Sequence, residues 1–119
     1  MDISTVFLGQ LSTLLERSEV SYRNYMHHGK IFLYAKILKD NNEKIRDLIL
    51  ENAHLLPSEQ QSHAIKLVSH IDIWVLLWED TNEKLSPILT DVFSFKNDAT
   101  FPTESESSLM SYYSLIKNN

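Results

Sequence analysis

The sixteen residues from His63 to Trp78, HAIKLVSHIDIWVLLW, constrain the fold more than any other stretch of the chain. Between Ile71 and Trp78 only Asp72 is polar, and two tryptophans and a run of aliphatic residues fill the rest. β-Branched and aromatic residues suit a strand. The lead-in through Ile65, Val68 and Ile71 keeps helical spacing, however, and selects a helix. A helix that is apolar on nearly every side over its last two turns belongs at the centre of a domain. Extended over 59–79 it is roughly 30 Å long, the span of a small domain.

The rest of the chain has to cover that helix, and its composition says with what. Two glycines and three prolines in 119 residues are too few for a turn-rich sandwich or barrel and favour long helices. The length predicts one domain, 1–119, with a core of its own. Ile3, Val6, Phe7, Leu11, Leu14 and Leu15 predict a helix over 3–17, capped by Asp2 or Ser4. Ser18 and Ser21 mark a break or a fresh cap. Val20 to Leu38 then predicts a second helix, broadened by Tyr22, Tyr25 and Tyr34 and interrupted at Gly29. Asp40-Asn41-Asn42 reads as a turn, and Ile45 to Leu56 as a third helix that stops before Pro57.

Ser58 with Gln61, and Thr103 with Glu106, match the capping box that opens a helix. They place the long fourth helix over about 59–79 and a short last one ending near Lys117. Between them lies an irregular segment around 80–102, in which Asp91 to Phe95 forms an extended piece pinning Phe93 and Phe95 to the bundle. The expected fold is therefore all-α, an up-down bundle of four main helices plus a short C-terminal helix.

Charge and side-chain inventory exclude several functions. The net charge is −5. Residues 79–106 carry seven acids against Lys84 and Lys96, whereas residues 1–78 are nearly balanced. Such a balance argues against DNA, whose phosphates need clustered Lys and Arg. The acidic stretch reads as a solvated loop. No cysteine is present, so a disulfide framework, a cysteine nucleophile and a cysteine–zinc site are all excluded. The N-terminus lacks a basic n-region and the apolar run at Ile71–Trp78 is too short to span a bilayer, so no membrane partner is expected and the chain reads as cytoplasmic.

Five histidines leave metal binding to be weighed. His63 and His70 are seven residues apart, about 10 Å along a helix, too far to share an ion. Glu51-x-x-His54 is the unit that di-iron bundles use twice, and no second copy exists. No metal and no cofactor are expected. Phosphate-binding glycine loops and nucleophile elbows are absent from the sequence as well.

Arg23-Asn24-Tyr25-Met26-His27-His28 contains Arg-Asn-x-x-x-His. It resembles the Arg-polar-x-x-x-His signature of HEPN-type ribonucleases, small helical bundles that act as metal-independent dimers. The resemblance covers six residues and sits nearer the N-terminus than is usual for that family. It implies His28 as general acid or base, Arg23 as a clamp on the phosphate, Asn24 as an orienting group and RNA as substrate. Arg23 and His27, at i and i+4, equally describe one solvated helix face.

The surplus of aromatic surface points elsewhere. Trp74, Trp78, Tyr112 and Tyr113 are the residue types most enriched at binding hot spots, and they are the candidate interface. The leading expectation is a non-catalytic helical protein-interaction module that binds another protein or forms a homo-oligomer. The alternative is the HEPN-like ribonuclease.

Overall fold

Asp2 opens the first helix as expected, its carboxylate accepting from the Ser4 backbone N–H at 3.3 Å. From there a computed structural model, describing residues 2–118, has the element order α1 (Ile3–His27), α2 (Phe32–Asn52), a single 3₁₀ turn (Ala53–Leu55), α3 (Ser58–Leu85) and α4 (Thr103–Lys117). The fold is all-α, and no strand occurs among the described residues. One isolated antiparallel bridge joins Ile31 and Val92. The molecule measures 47 × 22 × 21 Å, its long axis close to the length of α3.

Among the described residues there are four α-helices where five were expected, and side chains that bond across the fold account for the difference. Ser18 and Ser21 do not break α1, because Ser18 Oγ donates to Asn42 Oδ1 at 2.9 Å and Ser21 is buried. Asp40-Asn41-Asn42 is not a turn but the middle of α2. Asn41 is completely buried: its Nδ2 donates to the Leu14 carbonyl at 2.8 Å and to Ser18 Oγ at 2.6 Å, and its Oδ1 accepts from Arg17 Nη1 at 2.9 Å. Asparagine is poor in a helix interior when its side chain competes for the local backbone. Here partners on α1 engage it instead. At the far end of the same pair, Ser4 Oγ donates to the Leu55 carbonyl at 3.3 Å. These contacts fix which residues of α1 and α2 meet.

Gly29 ends α1 rather than kinking it. It takes φ +82, Lys30 follows at φ +55, and the Lys30 N–H bonds the Tyr25 carbonyl at 2.9 Å. This is the six-to-one bond of a Schellman ending. The two capping boxes are not formed: α3 and α4 begin after Pro57 and Pro102 with no side-chain cap, and the Gln61 amide reaches the Ala53 carbonyl instead. The irregular segment starts at 86, not 80. Glu79–Leu85 continue α3, helped by Lys84 and Asp80 at 2.9 Å, until Ser86 turns left-handed at φ +43.

Two apolar clusters result. The main core joins Phe7, Leu8 and Leu11 of α1 to Ile45 and Ile49 of α2, Leu67, Val68, Ile71 and Val75 of α3, and Leu109 of α4. A smaller cluster of Phe32, Ala35, Trp78 and Phe93 closes the other end. Its plug is the strap over 86–102. Phe93 is wholly buried, with its ring 5.0 Å from Trp78 and 5.1 Å from Phe32, centroid to centroid. The extended piece expected at Asp91–Phe95 thus does pin Phe93, whereas Phe95 is half-buried against Trp74.

Asn41→Ala removes three hydrogen bonds and opens a void at the α1–α2 contact. We expect a loss of about 2 kcal/mol in urea unfolding, with Asn42→Ala losing under ~1 kcal/mol. Equal, small losses in both variants would contradict the assigned role of Asn41.

Candidate functional site

The four aromatic residues expected at an interface mostly face inward. Trp78 is a core residue, 5 % exposed, and its indole N–H donates to the Ala35 carbonyl at 3.1 Å. Trp74 is half-buried between the two clusters. Tyr112 and Tyr113 are half-buried against the main core. Tyr113 lies over Gly9, where an added methyl would come within 3.1 Å of its hydroxyl, and Lys117 sits 5.4 Å above its ring. The strap and α4 therefore occupy the flanks of α3 on which the aromatic residues lie.

What remains open is a different face of the same helix. Ile65, Ile73 and Leu76 are 45, 46 and 67 % exposed. Beside them the N-terminal half of α3 has an open hollow of about 450 Å³, lined by Ser58, Gln61, Ser62, Ile65, Lys66 and Ser69. Helical spacing alone puts Ile65 in the buried lead-in, and the structure puts it outside. The signal for an outer face was that Ser62, Ser69 and Leu76 repeat every seven residues, so one line along α3 is small, then small, then large. A second exposed apolar group surrounds the strap, at Leu33, Leu85, Ile88, Leu89 and Val92. A second concavity, of about 530 Å³, lies between α1 and α2 and is lined by Leu14 and Leu48 together with polar and charged side chains including Gln10, Lys44, Asp47 and Glu51.

Charges frame the α3 face on one side. Arg46 of α2 stands 3.7 Å from Asp72, and also 3.6 Å from Asp47 and 3.8 Å from Glu43. Lys39 bridges Glu43 at 3.2 Å and Glu79 at 3.8 Å, with its ammonium 4.8 Å from the Trp78 ring centre. On the side facing α4, His63 Nδ1 hydrogen-bonds Ser105 Oγ at 3.1 Å, and His70 meets Phe101 edge-on at 5.3 Å. Burial against this apolar surface holds the His70 imidazolium pKa below its ordinary value. The carboxyl of Glu106, at the start of α4, is pushed up by burial and further by Glu19.

Arg23, Asn24 and His28 lie at the end of α1 and are all exposed. His28 is the C-cap residue, its N–H bonding the Asn24 carbonyl at 3.0 Å, and its ring stacks on Tyr34 at 5.1 Å. Among the described residues no hydrogen bond or ion pair joins Arg23 to His28. Glu51 and His54 are exposed, and no group of three or more potential metal ligands occurs among the described residues. Among those residues, too, no helix is long and apolar enough to cross a membrane. No family model, curated protein or solved structure matches the chain at significant similarity.

The lowered His70 pKa carries a pH signature. Above the ordinary value of 6.5 the ring is neutral in both folded and unfolded chains, so it contributes no slope. Below 6.5 the unfolded chain takes the proton first and folding stability falls. Chemical denaturation from pH 7.5 down to 5 should show this fall in the parent and a flatter profile in His70→Gln. Superimposable profiles would contradict the burial of His70.

Proposed function

We propose that this chain is a small non-catalytic helical protein-interaction module, an up-down bundle acting in the cytoplasm as a subunit, adaptor or regulator of a larger assembly or as a homo-oligomer. One observation carries the reading: Ile73 and Leu76 are exposed on a helix whose other faces supply much of the core, next to an open hollow on the same face. Isolated surface hydrophobes are ordinary, whereas grouped ones beside a concavity mark contact surfaces. The contact residues are then aliphatic and lie on the outer face of α3, while Trp74, Tyr112 and Tyr113 are half-buried against the core.

A photo-reactive side chain placed at Leu76, in the cells the protein comes from, should give a protein adduct that the same group at Ser111 does not. Ser111 is exposed on α4. Adducts at neither position, or equally at both, would contradict an interaction surface on α3.

The alternative is a metal-independent ribonuclease of the HEPN kind using Arg23, Asn24 and His28, with RNA as its partner. The exposure of Arg23 and His28 at one end of α1 favours it. It requires that the purified chain cleave RNA and that His28→Ala abolish cleavage while leaving the thermal melt unchanged. A parent protein without activity removes it.

A further inference from the structure

The strap over 86–102 is held to the helices at one point. Its aromatic residues follow a single stripe of α3, on which His70, Trp74 and Trp78 recur every four residues. Phe93 meets Trp78 at 5.0 Å, Phe95 meets Trp74 at 5.9 Å and Phe101 meets His70 at 5.3 Å, centroid to centroid. Only the first contact is sealed. Within 86–102 Phe93 alone is buried, whereas Phe95 is half-buried and Phe101 is exposed.

The hydrogen bonds converge on the same place. The Phe32 and Leu33 N–H groups donate to the Asp91 and Leu89 carbonyls, the Phe93 N–H to the Lys30 carbonyl, and the Tyr25 hydroxyl to the Phe93 carbonyl. All of these end within 89–93. Among the described residues no strap side chain hydrogen-bonds or ion-pairs with a helix. The polar ones turn back on the strap: Asp91 accepts from the Ile88 N–H at 3.0 Å, Asn97 accepts from the Ala99 N–H at 2.9 Å, and Lys96 pairs with Asp98 at 3.8 Å.

We propose that the strap is a lid, opening as a unit between Ser86 and Pro102 with Phe93 as its latch, while the four helices stay folded. The lid is independent of the contact surface proposed for α3, and either can exist without the other. Opening strands no polar group. The Phe32 and Leu33 N–H groups, the Lys30 carbonyl and the Tyr25 hydroxyl all pass to water, so the loss is chiefly the burial of Phe93. Segments with few buried apolar contacts open at lower free energy than the core they cover. The chain is also long enough. The strap leaves α3 at Ser86 and comes back alongside it at His70, about 23 Å along the helix. Fully extended, residues 86–102 reach about 55 Å, so the strap lifts without pulling on either end. At one end Ser86 makes the turn left-handed at φ +43, which a residue with a Cβ adopts only at a cost. At the other, α4 is anchored by Leu109 in the main core and by Ser105 on His63, and need not follow. In the open form Phe32, Ala35 and Trp78 make an aromatic floor in reach of solvent, beside the exposed Leu33. The lid decides when that floor is accessible.

Hydrogen exchange at single amides of the whole folded chain tests this. The Phe32, Leu33 and Phe93 amides bridge the junction from opposite sides, and lid opening frees all three at once. Corrected for intrinsic rates, they should share one exchange rate, roughly a hundredfold faster than Ile49 and Leu67 in the core and with little response to low denaturant. Fraying of α2 alone would free Phe32 and Leu33 but not Phe93. A disulfide provides the lock. Ile31 and Val92 form the antiparallel pair that shares no hydrogen bond of its own, and α-carbons in such a pair lie about 4.5 Å apart, within disulfide range. In a chain with no other cysteine, oxidised Ile31→Cys/Val92→Cys should slow all three amides roughly tenfold or more, and reduction should restore them. Three parent amides that exchange at the core rate with the core's denaturant dependence would overturn the lid. So would a Phe93 rate unlinked to the other two, or an oxidised lock that leaves all three rates unchanged.

Discussion

The first turn of α2 has no cap of its own, and the lower half of the molecule is built around that lack. Ile31, its N-cap residue, offers no side-chain acceptor. The Phe32 and Leu33 N–H groups instead bond the Asp91 and Leu89 carbonyls at 2.8 and 2.9 Å, while the Phe93 N–H returns to the Lys30 carbonyl at 2.8 Å. A helix start left without acceptors leaves several buried donors unsatisfied. The strap supplies them, and in doing so lowers Phe93 between Phe32 and Trp78. The left-handed pair Gly29–Lys30 is what turns the chain sharply enough for the Lys30 carbonyl and the Phe32 N–H to face the same segment. Tyr25 completes the attachment by donating from its hydroxyl to the Phe93 carbonyl, and burial pushes that phenol above its ordinary pKa.

The upper half is held by a different device. Asn41 fixes the register of α1 on α2 through partners on two successive turns of α1, and the surrounding ions reinforce it from the surface. Asp40 lies 3.1 Å from Lys44 and 3.6 Å from Arg17, and its carboxyl is held low first by its hydrogen bond to Lys44. These exposed pairs add little energy by themselves. The buried amide matters more, because a fully satisfied polar group inside a helix pair favours one register over its neighbours. With the strap and α4 committed to the flanks of α3 and α2 packed on another side, one face of α3 is left over. It carries Ile65, Ile73 and Leu76.

The sequence was most legible where periodicity alone decides structure. The central helix, the all-α class, the Asp2 cap and the stop before Pro57 follow from spacing and from proline sterics, which are local. It misled where a polar residue has a distant partner. Ser18, Ser21 and Asn41 look like punctuation in isolation, since each is favoured at caps and turns. Ser18 and Asn41 lie inside helices because residues some twenty positions away bond them, and Ser21 is buried there. The capping boxes at Ser58 and Thr103 failed for a related reason: a preceding proline already opens each helix, and the Gln61 amide has a carbonyl to reach in the adjoining turn. For the candidate site, aromatic content drew attention to α3, where the structure buries Trp78 and exposes Leu76. Trp78 is buried by Phe93, which sequence proximity does not reveal. Leu76, two residues earlier, is the more exposed side chain. The seven-residue line through Ser62, Ser69 and Leu76 was the local feature that distinguished them.

Apolar surface left over on a helix that also builds the core is the feature on which the proposed interaction rests. The most direct measurement is the solution mass by light scattering over a concentration series, for the parent chain and for Leu76→Asp. Self-association through the outer face of α3 gives a parent mass rising from one chain toward two with concentration, and a variant that stays at one chain with an unchanged melting temperature. A parent that remains a single chain up to about 1 mM, where even a weak self-contact would be populated, would contradict self-association through this face and leave it to a different protein.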